Sequence, residues 1–309
     1  MPKKDISAAL LVAALAAPSI ASAQGVEKEV EKQRTLAGHT FTYPSYSDSA
    51  FNSSHFEFSQ GFAFTKMDDF EGKGNRLTLL ALREKVDLGV KLVDPIGLYG
   101  SASGDIISGF HHGEFLYFFG QDAASFDGGV VLVPYRNRRW GTQVGFRSGF
   151  ELWYSNMLML DSSTLTFSMD IIDKLNNELF SDQQVMGWGL GGSLNTAQAF
   201  GKYVSLQTSV RLMRGRKTAV LDRIPDLETT YNRFGLGAAL STDLNPHLPI
   251  ALQLEYKLQK LTEMPDMHYL GGGIYFSKDK DLTVGVNAGK QVAESGSSLR
   301  SQILARKYF

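Results

Sequence analysis

The chain has 309 residues, no cysteine, and 31 basic against 32 acidic residues, which leaves a formal net charge of −1. This balance argues against nucleic acid as a partner, because nucleic-acid-binding domains carry an excess of positive charge. The absence of cysteine excludes a disulfide framework and thiolate chemistry, so a fold of this size must be held by backbone pairing and packing.

Residues 1–23 have the pattern of a secretory signal peptide. Lys3 and Lys4 form a positive region, residues 6–20 are rich in Ala and Leu, and the small residues 21–23 form a cleavage site. We expect cleavage after Ala23 and export from the cytoplasm. The apolar stretch is shorter than the ~20 residues that a spanning helix needs, and no later stretch reaches ~18 uninterrupted apolar residues, so no membrane helix is predicted.

Residues 24–54 form a segment without strand-like alternation. Residues 26–36 are charged on nearly every side, and the part that follows is rich in Ser, Tyr and Asn. Neither part has a convincing apolar stripe. We expect this segment to lie in the periplasm or to tuck into the mouth of a barrel formed by residues 55–309.

Strict alternation of apolar and polar residues begins at His55. Phe56 and Phe58 lie on one face of the first predicted strand, and Leu252 and Leu254 do so in a later one. A period of two over such lengths is the main signal of a β-strand. The rule predicts fourteen strands, at residues 55–65, 76–83, 85–92, 105–119, 129–135, 140–154, 164–172, 184–196, 202–215, 231–243, 249–262, 267–277, 281–291 and 299–309.

Fourteen strands is an even number, as bacterial single-chain barrels require. If the first strand runs outward, residues 216–230 form a long external loop and residues 245–248 form a tight periplasmic turn. Three features disagree with this count: residues 136–139 would be a short external turn, residues 120–127 would be a rather long internal loop, and the break around Glu84 has no turn-forming residue. Merging the strands on either side of Glu84 and omitting residues 129–135 gives the alternative count of twelve.

The last predicted strand carries Leu299 and Ile303 on one face, Arg300 and Arg306 on the other, and ends on Phe309. This ending resembles the C-terminal strand of Gram-negative outer-membrane β-barrel proteins, in which a final aromatic residue is part of the signal read by the assembly machinery. The resemblance implies an all-β, transmembrane, antiparallel up-and-down barrel in the cell outer membrane. It also implies outer-membrane lipid, lipopolysaccharide and the barrel-assembly machinery as partners.

Three residues of this strand depart from that pattern. Lys307 occupies an outward position where the class usually has an apolar or aromatic residue, and Leu304 and Tyr308 lie on the nominally wet face. A lysine at the membrane border can extend its charge to the headgroups, so barrel membership is still expected.

A soluble β-sandwich or an eight-stranded ligand-binding barrel is the alternative fold. Aromatic residues near the predicted strand ends favour the membrane barrel, because such residues form girdles at the two membrane interfaces. These residues are Trp140, Tyr154, Tyr203, Tyr231, Tyr269 and Phe276.

The polar faces of the strands predict a charged lumen, because charges that would be costly in a dry core are tolerated against water. The predicted pore-lining residues are Lys85, Asp87, Lys91, Arg147, Glu151, Arg211, Arg233, Glu255, Lys257 and Arg300. Bases outnumber acids among them, which predicts a passive pore for small solutes with a mildly basic lumen. The alternative is a structural barrel whose charges pair across an interior blocked by residues 24–54.

Asp266 and His268 lie two apart on a predicted strand and therefore share a face, which suits a carboxylate that orients an imidazole for water activation. This element resembles the Asp-x-His element of the omptin outer-membrane proteases and implies a rim-sited hydrolase as the alternative function. A single short motif has a high false-positive risk, so a non-enzyme is favoured. No metal or other cofactor is predicted, because the adjacent His111 and His112 point to opposite faces of a strand.

Overall fold

The computed structural model describes residues 33–70, 75–111, 119–160, 180–221, 224–245, 247–262, 266–277, 281–293 and 296–309. The predicted signal peptide, its cleavage site and the predicted strand at residues 164–172 lie outside these ranges. Within the described ranges, no helix is both long and apolar enough to cross a membrane.

The described residues form fourteen strands, of which the first two are a short hairpin and the other twelve a barrel. The hairpin consists of β1 (Thr35–Leu36) and β2 (His39–Thr40). The barrel strands are β3 (His55–Phe70), β4 (Asn75–Val93), β5 (Ile96–His111), β6 (Phe119–Asn137), β7 (Thr142–Leu160), β8 (Phe180–Phe200), β9 (Val204–Leu221), β10 (Ile224–Asp243), β11 (Ile250–Leu261), β12 (Met267–Phe276), β13 (Leu282–Ala293) and β14 (Gly296–Tyr308).

Each barrel strand pairs antiparallel with its neighbours along the chain, and β14 pairs with β3 to close the sheet. Closure leaves no unpaired sheet edge, which is the condition for a β-structure to span a membrane. The predicted all-β, up-and-down barrel is therefore confirmed, with the smaller of the two predicted strand counts for the described part of the chain.

The predicted count of fourteen exceeds the twelve described barrel strands for two reasons: the chain does not turn at Glu84, and the predicted strand at residues 164–172 lies outside the described residues. Glu84 lies inside β4, where it pairs with Gln60 of β3 and Gly104 of β5, so the chain does not turn there. The next turn lies at Asp94 and Pro95, where a break was predicted, although β5 begins sooner than expected, at Ile96. Because β4 is one strand and not two, the strands that follow it run in the direction opposite to the predicted one. Residues 138–141 therefore connect β6 to β7 at the end of the barrel where β3 begins, at His55, and β14 ends, at Tyr308. The strand at residues 129–135, omitted in the alternative count, is part of β6.

The barrel has two distinct ends. We call the end at which β3 begins and β14 finishes the proximal end, and the opposite end the distal end. The described proximal connections between β4 and β5, β6 and β7, and β8 and β9 are short turns. Strands β4 and β8 have 19 and 21 residues, whereas β12 has 10, so one side of the barrel is much taller than the other.

The outer surface of the barrel is apolar. In β11, Leu252 and Leu254 are 43% and 54% exposed, whereas Ala251 and Gln253, which alternate with them, are buried. Apolar side chains point outward and polar ones inward, which is the reverse of a soluble protein, and this arrangement recurs around the sheet. Such a continuous exposed apolar band is characteristic of a lipid-facing surface.

The aromatic girdle is only partly as predicted. Trp140 and Phe276 are exposed, at 70% and 47%, but Tyr231 and Tyr269 are buried inside the barrel. The ring of Tyr269 packs against that of Tyr46 in a tilted arrangement, with ring centroids 4.1 Å apart. Nearness to a strand end did not distinguish the two faces, because a shift of one residue moves a side chain from lipid to lumen.

Candidate functional site: a plugged lumen

The segment preceding β3 lies inside the barrel, and we call residues 33–54 the plug. Its hairpin turns at Ala37 and Gly38, which have φ angles of 50° and 78°. Two successive residues of positive φ form the tight turn that matches the twist of a hairpin, and Gly38 adopts it without steric cost. The turn is fixed to the proximal end because the Ala37 N–H donates to the carbonyl of Arg138 at 2.8 Å.

The plug has its own hydrophobic core in an otherwise polar lumen. Leu36, Phe41 and Phe51 are at most 1% exposed and pack with the wall residues Ala197 and Ala199. The rings of Phe41 and Phe51 lie 4.8 Å apart. Full burial of one such side chain is worth about 1.5–3 kcal/mol, so these contacts favour the seated plug.

Tyr308, which lay on the nominally wet face of the last strand, belongs to this core. Its ring lies 5.8 Å from that of Tyr43, and the Arg34 guanidinium stands 4.3 Å from its centroid. Leu304, the second apolar residue on that face, is also buried, against Ala251 and Tyr275. The inward face of β14 is apolar at these two positions because the interior there is filled by protein.

Side chains of the wall satisfy the backbone of the plug, which has few hydrogen bonds of its own. Gln143 Nε2 donates to the carbonyl of Ala50 at 2.6 Å, and Gln207 Nε2 donates to that of Thr42 at 2.7 Å. The Glu255 carboxylate accepts the N–H groups of Ser45 and Tyr46 at 2.9 and 3.0 Å. Buried backbone groups must be paired, and these bonds hold one path of the segment through the lumen.

The wall is also shaped to admit the plug. A Cβ placed on Gly145 of β7 would lie 2.6 Å from the carbonyl oxygen of Ala50, and one on Gly237 of β10 would lie 2.5 Å from Cβ of Ser47. Both distances are too short for real Cβ contacts. Glycine at these two positions therefore allows the plug backbone to approach the sheet.

His39 anchors the plug at the proximal end. Its Nδ1–H donates to the carbonyl of Lys202 at 3.1 Å, and its ring meets that of Phe41 edge-on. Burial lowers the pKa of His39, although the Lys202 carbonyl and the Asp243 carboxylate act in the opposite direction. The seated ring is therefore neutral.

A cavity of about 380 Å³ lies beside the middle of the plug, between it and the wall. Seven basic and five acidic residues line it, together with several Ser and Tyr residues. The basic residues are Arg83, Lys85, Arg147, Arg211, Arg233, Lys257 and Arg306, and the acidic ones are Asp48, Glu57, Asp87, Asp127 and Glu151.

Seven of the ten predicted pore-lining residues line this cavity: Lys85, Asp87, Arg147, Glu151, Arg211, Arg233 and Lys257. The other three lie elsewhere. Glu255 is buried against the plug, and Lys91 pairs with Asp94 at 2.9 Å next to the proximal turn. Arg300 is half-buried on β14, and its Nε has no hydrogen-bond partner among the described residues.

An ion-pair network crosses the middle of the lumen. Arg211 of β9 contacts Asp127 of β6 at 2.5 Å, and Arg233 of β10 contacts Glu151 of β7 at 2.6 Å. Asp48 of the plug lies 3.7 Å from Arg211 and 3.8 Å from Arg147. Burial alone would raise the pKa of Asp48, but Arg211 and Arg147 outweigh it and hold the pKa below its ordinary value.

Sequence reasoning missed Asp127 and Asp48 as members of this network. Asp127 lies in β6, in a stretch that was interpreted as a loop, so no face could be assigned to it. Asp48 lies in the plug, which has no alternation to read. The apolar Leu304 and Tyr308 on a wet face were the available signal that the lumen is filled.

Asp266 and His268 do not form the pair that the protease hypothesis requires. Asp266 pairs with Lys260 at 2.5 Å, whereas His268 Nδ1 contacts the Tyr256 hydroxyl at 2.9 Å. His268 is exposed on the same outward face of β12 as Leu270. This rim therefore has two separate surface contacts in place of a carboxylate that orients an imidazole.

No protein-family model matches this sequence, and no curated protein sequence matches it. The fold, in contrast, is shared with solved outer-membrane barrels. The translocator domain of the autotransporter NalP from Neisseria meningitidis matches with a TM-score of 0.60 at 9% identity, over 84% of this chain and 89% of that chain.

Two further solved structures are similar. The transport unit of the autotransporter AIDA-I from Escherichia coli has a TM-score of 0.56 at 13% identity, over 92% of this chain and 99% of that chain. The beta domain of the Bordetella autotransporter Brka has a TM-score of 0.50 at 9% identity, over 83% and 100%. At such low identities the structural similarity shows a common fold alone, and this chain has the architecture of an outer-membrane β-barrel.

Proposed function

We propose that this protein is an outer-membrane channel for small solutes whose pore is closed by the plug and opens when the plug moves. The single observation that carries the proposal is the way the plug is bound: by side chains of the wall that reach its backbone, such as Gln143, Gln207 and Glu255. Contacts made by individual side chains can be broken and re-formed without unfolding the sheet.

Three further features support a membrane channel. The outward face is apolar, the lumen is lined by charges, and the fold is that of solved outer-membrane barrels. In barrels of this type both termini and the short turns face the periplasm, so the proximal end with its plug is the periplasmic end. Solutes would enter the charged cavity from the distal side.

A reversible lock tests the proposal. The side chains of Ser45 in the plug and Asn287 in β13 are 2.8 Å apart, and the chain has no cysteine of its own. We expect a short bis-methanethiosulfonate cross-linker to join the two thiols of Ser45→Cys with Asn287→Cys through disulfide bonds and so hold the plug in place. In planar bilayers, channel openings should be absent from the cross-linked protein and should appear after reduction, whereas the openings of each single variant should not change on reduction.

A permanently blocked structural barrel is the second candidate, and the deep burial of Phe41 and Phe51 favours it. The same experiment separates the two. If the reduced double variant and the unmodified protein never conduct, while a variant lacking residues 33–54 does, the barrel is structural and the plug is fixed. If the deletion does not conduct either, the lumen is not a pore.

A further inference from the structure

The plug places a carboxylate among the cations of the cavity without a close bond to either arginine. Asp48 lies 3.7 and 3.8 Å from the nitrogens of Arg211 and Arg147. A direct charge-assisted hydrogen bond between such groups measures about 2.7–2.9 Å. The carboxylate is thus shared by two guanidinium groups and held closely by neither of them.

The neighbouring carboxylates differ from Asp48, because each has an arginine at close range. Asp127 lies 2.5 Å from Arg211, and Glu151 lies 2.6 Å from Arg233. These two pairs consist of wall residues only, so they persist when the plug moves.

Two cations of the cavity, Arg147 and Lys257, have no close ion pair with a wall carboxylate in the described ranges. In the described part of the chain, Asp48 is the only carboxylate within ion-pair distance of Arg147, whose guanidinium also lies 4.9 Å from the ring centroid of Tyr99. Lys257 lines the same cavity, and no described carboxylate pairs with it. Withdrawal of the plug would leave Arg147 and Lys257 without a counter-ion among the described residues, next to Arg211, which keeps Asp127.

We infer that Arg147, Arg211 and Lys257 form a binding site for small carboxylate solutes, and that Asp48 occupies this site as a tethered competitor. The inference rests on the proposed channel function and specifies its solute class. A guanidinium group presents a planar fork of donors that matches a carboxylate, and the site already accepts one. The cavity of about 380 Å³ falls within the range of small-molecule sites.

Competition for this site couples solute binding to plug release. A carboxylate solute that occupies Arg147 and Arg211 displaces Asp48 and removes an attraction that holds the middle of the plug. Because linkage is reciprocal, weakening the Asp48 contact must also strengthen solute binding. Solute binds only to molecules in which Asp48 has left the site. The apparent affinity is therefore lower than the intrinsic affinity, in proportion to the fraction of molecules in which the site is free.

Succinate, with its neutral analogue succinamide at matched ionic strength, is the probe. We expect calorimetry on the purified full chain in detergent to detect succinate binding and no succinamide binding. Asp48→Asn should bind succinate about tenfold more tightly, because the competitor is removed. Arg147→Gln and, separately, Lys257→Gln should each weaken binding about tenfold, the loss expected when one charged contact is removed. Lys260→Gln, an exposed change on the same strand as Lys257, should have no effect.

A second readout follows the plug itself. Ser49→Cys provides a single, nearly isosteric thiol at a buried plug position. Succinate should accelerate its labelling by a membrane-impermeant maleimide, and succinamide should not. The inference would be overturned if the affinity for succinate were the same in Asp48→Asn, Arg147→Gln and Lys257→Gln as in the unmodified protein. This holds even if reduction of the locked variant opens a channel. If succinate binds in competition with Asp48 but the protein never conducts, the proposed channel function is wrong and the binding site is retained.

Discussion

Arg306 of β14 and Glu57 of β3 lie directly opposite each other at the seam where the barrel closes, and their buried side chains form an ion pair. Their side chains are 4% and 3% exposed. A buried pair is weak evidence for net stability, but removing one partner leaves the other charge buried and unpaired. The seam therefore depends on both residues being present.

Glu57→Gln should lower the free energy of unfolding by about 3–5 kcal/mol, because it leaves Arg306 buried without a counter-ion. Urea unfolding in lipid vesicles measures the change. The control is Asp281→Asn, which breaks the exposed pair between Asp281 and Lys307 on the same strand and should cost only about 0–1 kcal/mol. Equal losses in the two variants would mean that burial at the seam does not matter.

Gly237→Ala should loosen the plug, since the added Cβ would lie 2.5 Å from Cβ of Ser47. Overpacking of this kind typically costs about 1–3 kcal/mol, and the plug is the part that can yield. We expect more frequent channel openings in planar bilayers. Gly235→Ala is the matched control, because its Cβ on the same strand meets only ordinary contacts, the nearest at 3.6 Å from Cβ of Arg211. Unchanged opening in Gly237→Ala would show that this contact does not hold the plug.

Acidification should favour release of the plug through His39. The seated ring has a pKa lowered from 6.5 by burial, so the released segment binds a proton more readily. The docking free energy is therefore constant well above pH 6.5 and decreases as the pH falls below that value. The lowered pKa of Asp48 has the same sign, and its contribution is lost only as the pH falls below its ordinary value of 3.8.

The measurement is channel opening as a function of pH, with His39→Gln as the control. The unmodified protein should open more often at pH 5.5 than at pH 7.5. His39→Gln should lose this change, because its amide does not titrate. A pH response of full size in His39→Gln would assign the effect to other groups.

Leu254→Arg should destabilise the barrel in lipid by about 2–4 kcal/mol, the cost of a cation near the middle of a bilayer. Leu254 is 54% exposed on the outward face of β11. Leu248→Arg, at a 52% exposed position in the proximal turn, is the comparison and should leave the unfolding free energy almost unchanged. If both substitutions lowered the free energy of unfolding by similar amounts, the outward face of β11 would not be the lipid-facing surface.

The sheet was largely predictable from sequence because alternation reports which face a residue occupies. In β11 the predicted outward Leu252 and Leu254 are the exposed ones, and the inward Gln253 and Glu255 are buried. The strand count was less certain, because the charged run around Glu84 interrupts the alternation inside β4 as a turn would.

The plug could be anticipated as a possibility but its path could not be predicted. Glu255 and Ser45 are 210 residues apart, and their hydrogen bond exists only because closure of the sheet brings β11 beside the segment. Alternation carries no information about an irregular chain that runs through a lumen. Most charges of the wall network were predicted, but Asp127 of β6 and Asp48, the carboxylate that the plug adds, were not.

The position of the plug beside the seam also has a consequence for how the barrel folds. The plug passes directly into β3 at His55, and the Phe309 N–H at the end of the chain donates to the carbonyl of Ser54 at 3.1 Å. The plug thus contacts the first and last strands where they meet, and it precedes both in order of synthesis. Because the plug contacts both strands at the seam, its seating should favour their pairing, so a chain without its plug should close its barrel more slowly.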